Sequence, residues 1–283
     1  MITMQSIWRY FENQYQRGDP LALRRKTLKR LGMVRAPLET LARVSGTDKA
    51  DPHDYMHAYR RLFSEFRDHS ITLLEIGVGG YQKSNGGRSL SLWEAYFRRG
   101  TIVGIDLYDK SELSGGRVHV YQCSQTDAQG LRRISDRYGG FDLVIDDGSH
   151  MNQHQIESFQ ILFPLLKTPG VYVIEDTQTS YWPAYGGGAV GTPAHTTSAV
   201  SFFKSLVDGL NHAEFLPGSG TPATPFYDQI KAVYFEHGLI AVVKGDNTAL
   251  SNIRLESLAD LLENKQNLEN KSVEADGSIR WIK

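Results

Sequence analysis

The chain holds a single cysteine, Cys123, in 283 residues. One thiol cannot form an intrachain disulfide and cannot build a thiolate metal cage. Cys123 lies in an apolar run and is expected as a buried strand residue. Long apolar runs are also missing: nothing approaches the roughly 20 residues that cross a bilayer. The start, MITMQSIWRYFENQ, lacks the basic opening and apolar centre of a signal peptide. Nor is there an excess of charge of one sign. Lys plus Arg number 31 and Asp plus Glu 32, a formal net charge of −1, which gives no footprint for nucleic acid or an anionic membrane. The expectation is a soluble, cytoplasmic protein that binds neither and forms a homo-oligomer. One basic stretch, residues 23–35, departs from the balance. It reads as a solvated helix face or subunit contact, with a site for an acidic partner as the alternative.

A further absence sits in LLEIGVGGYQKSNGG, residues 73–87. Gly77 and Gly79 open a dinucleotide-type turn, but Gln82 stands where the third glycine of G-x-G-x-x-G belongs. The loop still lets a ligand approach the backbone closely. Without the pyrophosphate spacing it suits a nucleoside ligand, and S-adenosylmethionine is one.

What the chain does have is alternation. ITLLEIGV (71–78), TIVGIDLY (101–108), RVHVYQC (117–123), FDLVIDDG (141–148) and GVYVIEDT (170–177) are short and rich in β-branched residues. Helical patterns SLSLWEAYF, AQGLRRISDRY and NQHQIESFQILFPLL separate them. The spacing predicts an α/β fold, a doubly wound and mostly parallel sheet. Residues 229–245 form two strand-like runs around His237-Gly238, a hairpin that brings an antiparallel strand into the sheet and raises the expected count to seven. Residues 1–45 and 53–66 read as helices, 184–198 as a long Gly/Thr-rich loop suited to a lid, and 257–271 as a polar helix. The expected division is a helical extension over 1–69, a ligand-binding domain over 70–248, and a terminal helix and tail over 249–283.

In such sheets ligands bind beyond the carboxyl ends of the strands. Those ends carry Glu75, Asp106, the pair Asp146 and Asp147, and the pair Glu175 and Asp176. Asp106 at the second strand tip suits a ribose diol; a helix-cap or turn role is the alternative. Four clustered acids, Asp146, Asp147, Glu175 and Asp176, repel unless cations or protons intervene. Oxygen donors without cysteine favour Mg²⁺. The competing reading is that these acids cap helices and meet Lys or Arg partners. His150, three residues after Asp147, suits a general base or a structural role. His150 and His154 also make H-x-x-x-H, but Met151 replaces the glutamate of a zinc protease helix. Tyr181, Trp182 and Tyr185 offer flat faces for a sugar ring or aromatic aglycone, or are core aromatics.

Taken in order, EIGVGGY, GIDLYDKS, FDLVIDDGSH and YVIEDTQTSYWPAYGG, with GTDK and HDY upstream, resemble the metal-dependent sugar O-methyltransferases of macrolide biosynthesis. The resemblance is to the mycinamicin VI 2''-O-methyltransferase type and the related rhamnosyl O-methyltransferases, over roughly residues 46–190. It implies a class I methyltransferase fold, S-adenosylmethionine and Mg²⁺ as cofactors, and a small glycoside as acceptor. By the same resemblance, Asp147, Glu175 and Asp176 are metal ligands and His150 is the base. Glu75, Gly77, Tyr81, Asp106 and Asp146 fall to the cofactor; Gly79 joins them from the reading of the glycine loop, and Tyr181, Trp182 and Tyr185 are acceptor candidates on their flat faces alone. Three other readings stay open: methyl transfer to a catechol-like or polyketide hydroxyl, an NAD-dependent oxidoreductase, and a non-catalytic module that binds S-adenosylmethionine.

Overall fold

The computed structural model describes residues 20–80, 86–215, 225–250, 271–273 and 279–281, with side chains described only within 26–250. Tyr81, Gln82, the start of the chain and all of the polar helix expected over 257–271 except Lys271 lie outside these residues, and Lys271 opens a strand instead. Helices α1 (Pro20–Met33), α2 (Leu38–Ser45) and α3 (Met56–Phe63) precede the first strand. Then come β1 (Thr72–Ile76), α4 (Arg88–Tyr96), β2 (Thr101–Asp106), β3 (Val118–Gln122), α5 (Ala128–Tyr138), β4 (Phe141–Asp146), α6 (Asn152–Leu162) and β5 (Leu166–Glu175). A short α7 (Pro193–Thr196), α8 (Ala199–Leu210), β6 (Ile230–Glu236) and β7 (Leu239–Lys244) complete the first compact unit. A second unit holds the antiparallel pair β8 (Lys271–Val273) and β9 (Ile279–Trp281). Among the described residues, no helix is long and apolar enough to cross a membrane.

The seven strands of the first unit run in the order β3-β2-β1-β4-β5-β7-β6. The first five are parallel and β7 pairs antiparallel to both neighbours. The expected hairpin turns at His237-Gly238, where Glu236 faces Leu239. Successive strand side chains point to opposite faces, and both faces are dry. Leu73, Ile102, Leu143 and Val173 join one core cluster; Leu74, Val103, Val144 and Tyr172 join the other. Burial on both faces is why these strands read as continuous apolar runs rather than alternating ones.

The first cluster also takes in residues upstream of β1. Leu28, Leu38, Leu41, Tyr59 and Phe63 pack there with Trp93 and Phe97 of the α4 end. Trp93 lies 5.0 Å from the Tyr59 ring and 5.6 Å from Phe63, centroid to centroid. The other face is built around Phe159, which meets Tyr172 and Phe203 edge-on. Local signals set the helix ends. Asp127 accepts a hydrogen bond from the Gly130 N–H at the start of α5, and Gly139 closes it in a left-handed conformation.

Two boundaries differ from the sequence reading. The pattern over 152–166 suggests one helix, but α6 stops at Leu162 and β5 begins at Leu166. Pro164 lacks an N–H to continue the helix. Cys123 lies just past β3, is only partly buried and lines a cavity instead of the core.

Candidate active site

The strand order reverses at β1, which has β2 on one side and β4 on the other. A crevice opens at such a reversal, outside the carboxyl ends. Here the chain leaving β1 and the chain leaving β4 are clamped together: the Asp147 N–H donates to the Ile76 carbonyl at 3.0 Å. Gly77 has φ of +80°, and a Cβ there would stand 2.1 Å from the Asp147 carbonyl oxygen. Only glycine permits that approach.

A cavity of about 520 Å³ fills the crevice. One part of its wall is Gly77, Gly79, Gly80 and Asp106; another is Asp147, His150 and Asp176. Asp106 is fixed by its neighbours. Its carboxylate accepts from the Val78 N–H at 3.2 Å and the Tyr108 N–H at 2.9 Å, and lies 3.6 Å from the Lys110 ammonium. Fully buried Lys110 donates in turn to the carbonyls of Gly79 and Gly80.

Asp147, His150 and Asp176 each bring a ligand atom within 4.8 Å of the others. Two carboxylates and an imidazole fit a divalent cation of the Mg²⁺ or Mn²⁺ type. His150 and Asp176 both sit in the left-handed backbone region, at φ of 56° and 53°. Non-glycine residues there are costly and cluster at functional sites. Asp176 is held from outside the sheet: the Tyr55 hydroxyl donates to Oδ1 at 2.8 Å, and His53 Nδ1 lies 3.4 Å from the same oxygen. His150 Nε2 lies 3.8 Å from the other oxygen.

Beneath this rim is a buried charge cluster. The Lys49 ammonium meets Asp147 at 2.6 Å, Glu175 at 2.8 Å and Glu75 at 3.4 Å. Burial opposes its charge, but the three carboxylates outweigh burial and hold its pKa well above the ordinary value. Burial pushes Glu75 up to about 7, eased by Lys49. Burial likewise raises Asp147 and, more strongly, Glu175, with Lys49 again opposing. A bound divalent cation would work against these upward shifts, because it favours the ionised acids. Asp146 points elsewhere. Its carboxylate accepts from Gln125 at 3.2 Å and from Ser158, and burial raises it to about 6.

No family model matches the chain. It is 44% identical over 217 residues to the 8-demethyl-8-alpha-L-rhamnosyl tetracenomycin-C 2'-O-methyltransferase of Streptomyces olivaceus, covering 76% of this chain and 57% of that enzyme. It is 43% identical over 197 residues to the mycinamicin VI 2''-O-methyltransferase of Micromonospora griseorubida, covering 69% and 49%. Among solved structures, the MycE methyltransferase of the mycinamycin biosynthetic pathway, in complex with Mg, SAH and mycinamycin VI, aligns at a TM-score of 0.72 and 38% identity, over 80% of this chain and 59% of that one. The chain is a homologue of these sugar O-methyltransferases. It spans about half the length of the curated relatives it matches, and its sheet is that of the class I methyltransferases, as expected.

Within this homologue the expected site residues separate into groups. Gly77, Gly79, Asp106, Asp147, His150 and Asp176 share the cavity wall. Glu75, Asp146 and Glu175 are buried below it and do not line it. Glu175 spends one oxygen on Lys49 and the other on the Tyr59 hydroxyl. Tyr181 and Trp182 are exposed and Tyr185 is half-buried, and none of the three lines the cavity. His154 is on the wall but pairs with the Ser149 hydroxyl at 2.8 Å, outside the ligand group. Sequence reasoning missed Lys49, His53, Tyr55, Tyr59 and Lys110 as contributors. The GTDK and HDY motifs were the available signal for the first three.

Proposed function

We propose that the protein transfers a methyl group from S-adenosylmethionine to a sugar hydroxyl of a glycosylated natural product, with Mg²⁺ as the second cofactor. The observation that carries this reading is one cavity walled by both a glycine loop with Asp106 and the group Asp147, His150 and Asp176. The first part suits a nucleoside held by close backbone approach and a carboxylate for its diol. The second suits a hard cation beside a base. The relatives named above, which act on rhamnosyl and mycinamicin sugars by their names, support the acceptor class. This reading makes the protein a cytoplasmic enzyme with a small glycoside as its partner.

The chain's own residues divide the work. Gly77 and Gly79 let the donor approach the backbone. Asp147 and Asp176 would hold the cation, which when bound would polarise the acceptor hydroxyl as a Lewis acid. His150 would take the acceptor hydroxyl proton as the oxygen bonds to the sulfonium methyl carbon and S-adenosylhomocysteine leaves as the neutral thioether. Holding both reactants in one cavity supplies the orientation that free solution lacks.

The test is incubation with S-adenosylmethionine, Mg²⁺ and a panel of rhamnosides and macrolide glycosides, read by mass spectrometry. The expected product carries one added methylene unit, is lost in EDTA, and forms about 10²–10⁴-fold more slowly in His150→Ala. Methylation of catechols but not of glycosides would move the acceptor class. Undiminished turnover in EDTA would remove the cation from the reaction.

A further inference from the structure

The Lys49 ammonium is 1% exposed and lies within 3.4 Å of three carboxylates that come from three different strand ends. It reaches them from outside the sheet, on the turn that follows α2. That turn is fixed at both ends: Gly46 closes α2 in a left-handed conformation, and the Tyr55 N–H donates to the Lys49 carbonyl at 2.9 Å. The same segment delivers the Tyr55 hydroxyl to Asp176. One short stretch therefore plants a fixed positive charge under the acids and a hydroxyl beside them.

We infer that Lys49 is a positioning residue that acts as a built-in cation, holding the acid rim assembled in the metal-free protein and weakening the site's grip on the divalent ion. The inference rests on the functional reading above. Asp147 and Asp176 stand on the rim with Glu75 and Glu175 buried beneath it, and Lys49 is the lysine that meets three of the four. Like charges at such separations cannot persist in a buried site without cations or protons. Lys49 supplies one positive charge permanently. It also occupies Asp147 Oδ2, on a residue that belongs to the ligand group. A divalent ion arriving at Asp147 meets an ammonium that already shares this carboxylate, and the two cations repel. The consequence is an ion held firmly enough to act yet released readily, in a rim that does not fall apart when the ion leaves.

The experiment compares wild type, Lys49→Met and Lys49→Arg as full chains. Mg²⁺ affinity is measured by calorimetric titration, and melting temperature is measured in EDTA and in saturating Mg²⁺. Lys49→Met keeps most of the length of the side chain and removes its charge. Its expected melting temperature in EDTA is well below wild type, its gain on adding Mg²⁺ exceeds the wild-type gain, and its Mg²⁺ dissociation constant is lower by about tenfold or more. Lys49→Arg keeps the charge and should bind Mg²⁺ within a few-fold of wild type. A packing role alone predicts equal losses of melting temperature with and without Mg²⁺ and an unchanged dissociation constant. That result overturns the inference while leaving the enzyme reading intact, as does weaker Mg²⁺ binding by Lys49→Met. Wild type that binds no Mg²⁺ overturns both. If Lys49→Met does not fold in either buffer, Lys49→Gln takes its place under the same criteria.

Discussion

Glu75 stands on a central strand, fully buried, at the level where the sheet ends and the cavity begins. Its ordinary pKa is 4.5 and in the fold it is pushed up to about 7, first by burial. Folding therefore makes Glu75 bind its proton more tightly. The stability this contributes is fully present below about pH 4.5 and is lost as pH rises through about 7. The gap corresponds to on the order of 3 kcal/mol. Asp147 and Glu175 are shifted in the same direction, each chiefly by burial. In metal-free buffer the melting temperature should fall between about pH 5 and pH 8, and Glu75→Gln should remove part of that fall. Thermal melts across that range check it, and an identical slope in the variant would show that Glu75 does not take up the proton. The acids themselves were legible in the sequence, because strand tips end in recognisable Asp-Asp and Glu-Asp pairs. Their division of labour was not. Which carboxylate stays below the cavity and which reaches its wall depends on Lys49, a side chain 98 positions from Asp147 and 126 from Glu175, and no period or spacing carries that information.

At the scale of elements, the alternation of apolar runs and helical patterns was enough to place β1 to β5 and the β6–β7 hairpin. Such runs report burial on two faces, which is the property that makes a parallel sheet. The turns were less legible. A glycine loop announces freedom of the backbone, but not what pins it. Here Lys110, four residues past the end of β2, reaches back to the carbonyls of Gly79 and Gly80 and sits beside Asp106. It ties the β1 loop to the β2 tip, the two pieces assigned to the donor. Lys110→Met removes charge-assisted hydrogen bonds worth about 1.5–3 kcal/mol each while keeping most of the side-chain length. S-adenosylhomocysteine should bind about tenfold or more weakly, because the loop must be reordered on binding. Mg²⁺ affinity should be retained, since Lys110 touches none of Asp147, His150 and Asp176. Calorimetry of each ligand separates the two. Unchanged S-adenosylhomocysteine binding would reduce Lys110 to a space-filling role. The segment 46–55 belongs to the same lesson. It lies ahead of the sheet in sequence, yet Lys49, His53 and Tyr55 reach the acids at the strand ends.

For the molecule as a whole, the cavity sits at the reversal point of the sheet, so a bound ligand touches the ends of several strands together. Gly77 and Gly79 follow β1, Asp106 closes β2, Asp147 and His150 follow β4, and Asp176 follows β5. A ligand that binds only the folded arrangement stabilises all of it by mass action, about 2.7 kcal/mol at a concentration of 100 times its dissociation constant. For a unit of this size that is a rise of roughly 5–10 °C in melting temperature. S-adenosylhomocysteine is expected to give such a rise. NAD, at equal concentration, is expected to give none, because its pyrophosphate calls for the third glycine and Gln82 stands at that position. Mg²⁺ should add its own increment, since its group Asp147, His150 and Asp176 is distinct from the glycine loop and Asp106 on the cavity wall. A melting series with each ligand alone and with both measures these terms directly. A rise with NAD and none with S-adenosylhomocysteine would overturn the donor assignment and return the fold to dinucleotide chemistry. A rise with S-adenosylhomocysteine that EDTA leaves unchanged, and that Mg²⁺ does not extend, would keep the donor site and remove the cation from the resting enzyme.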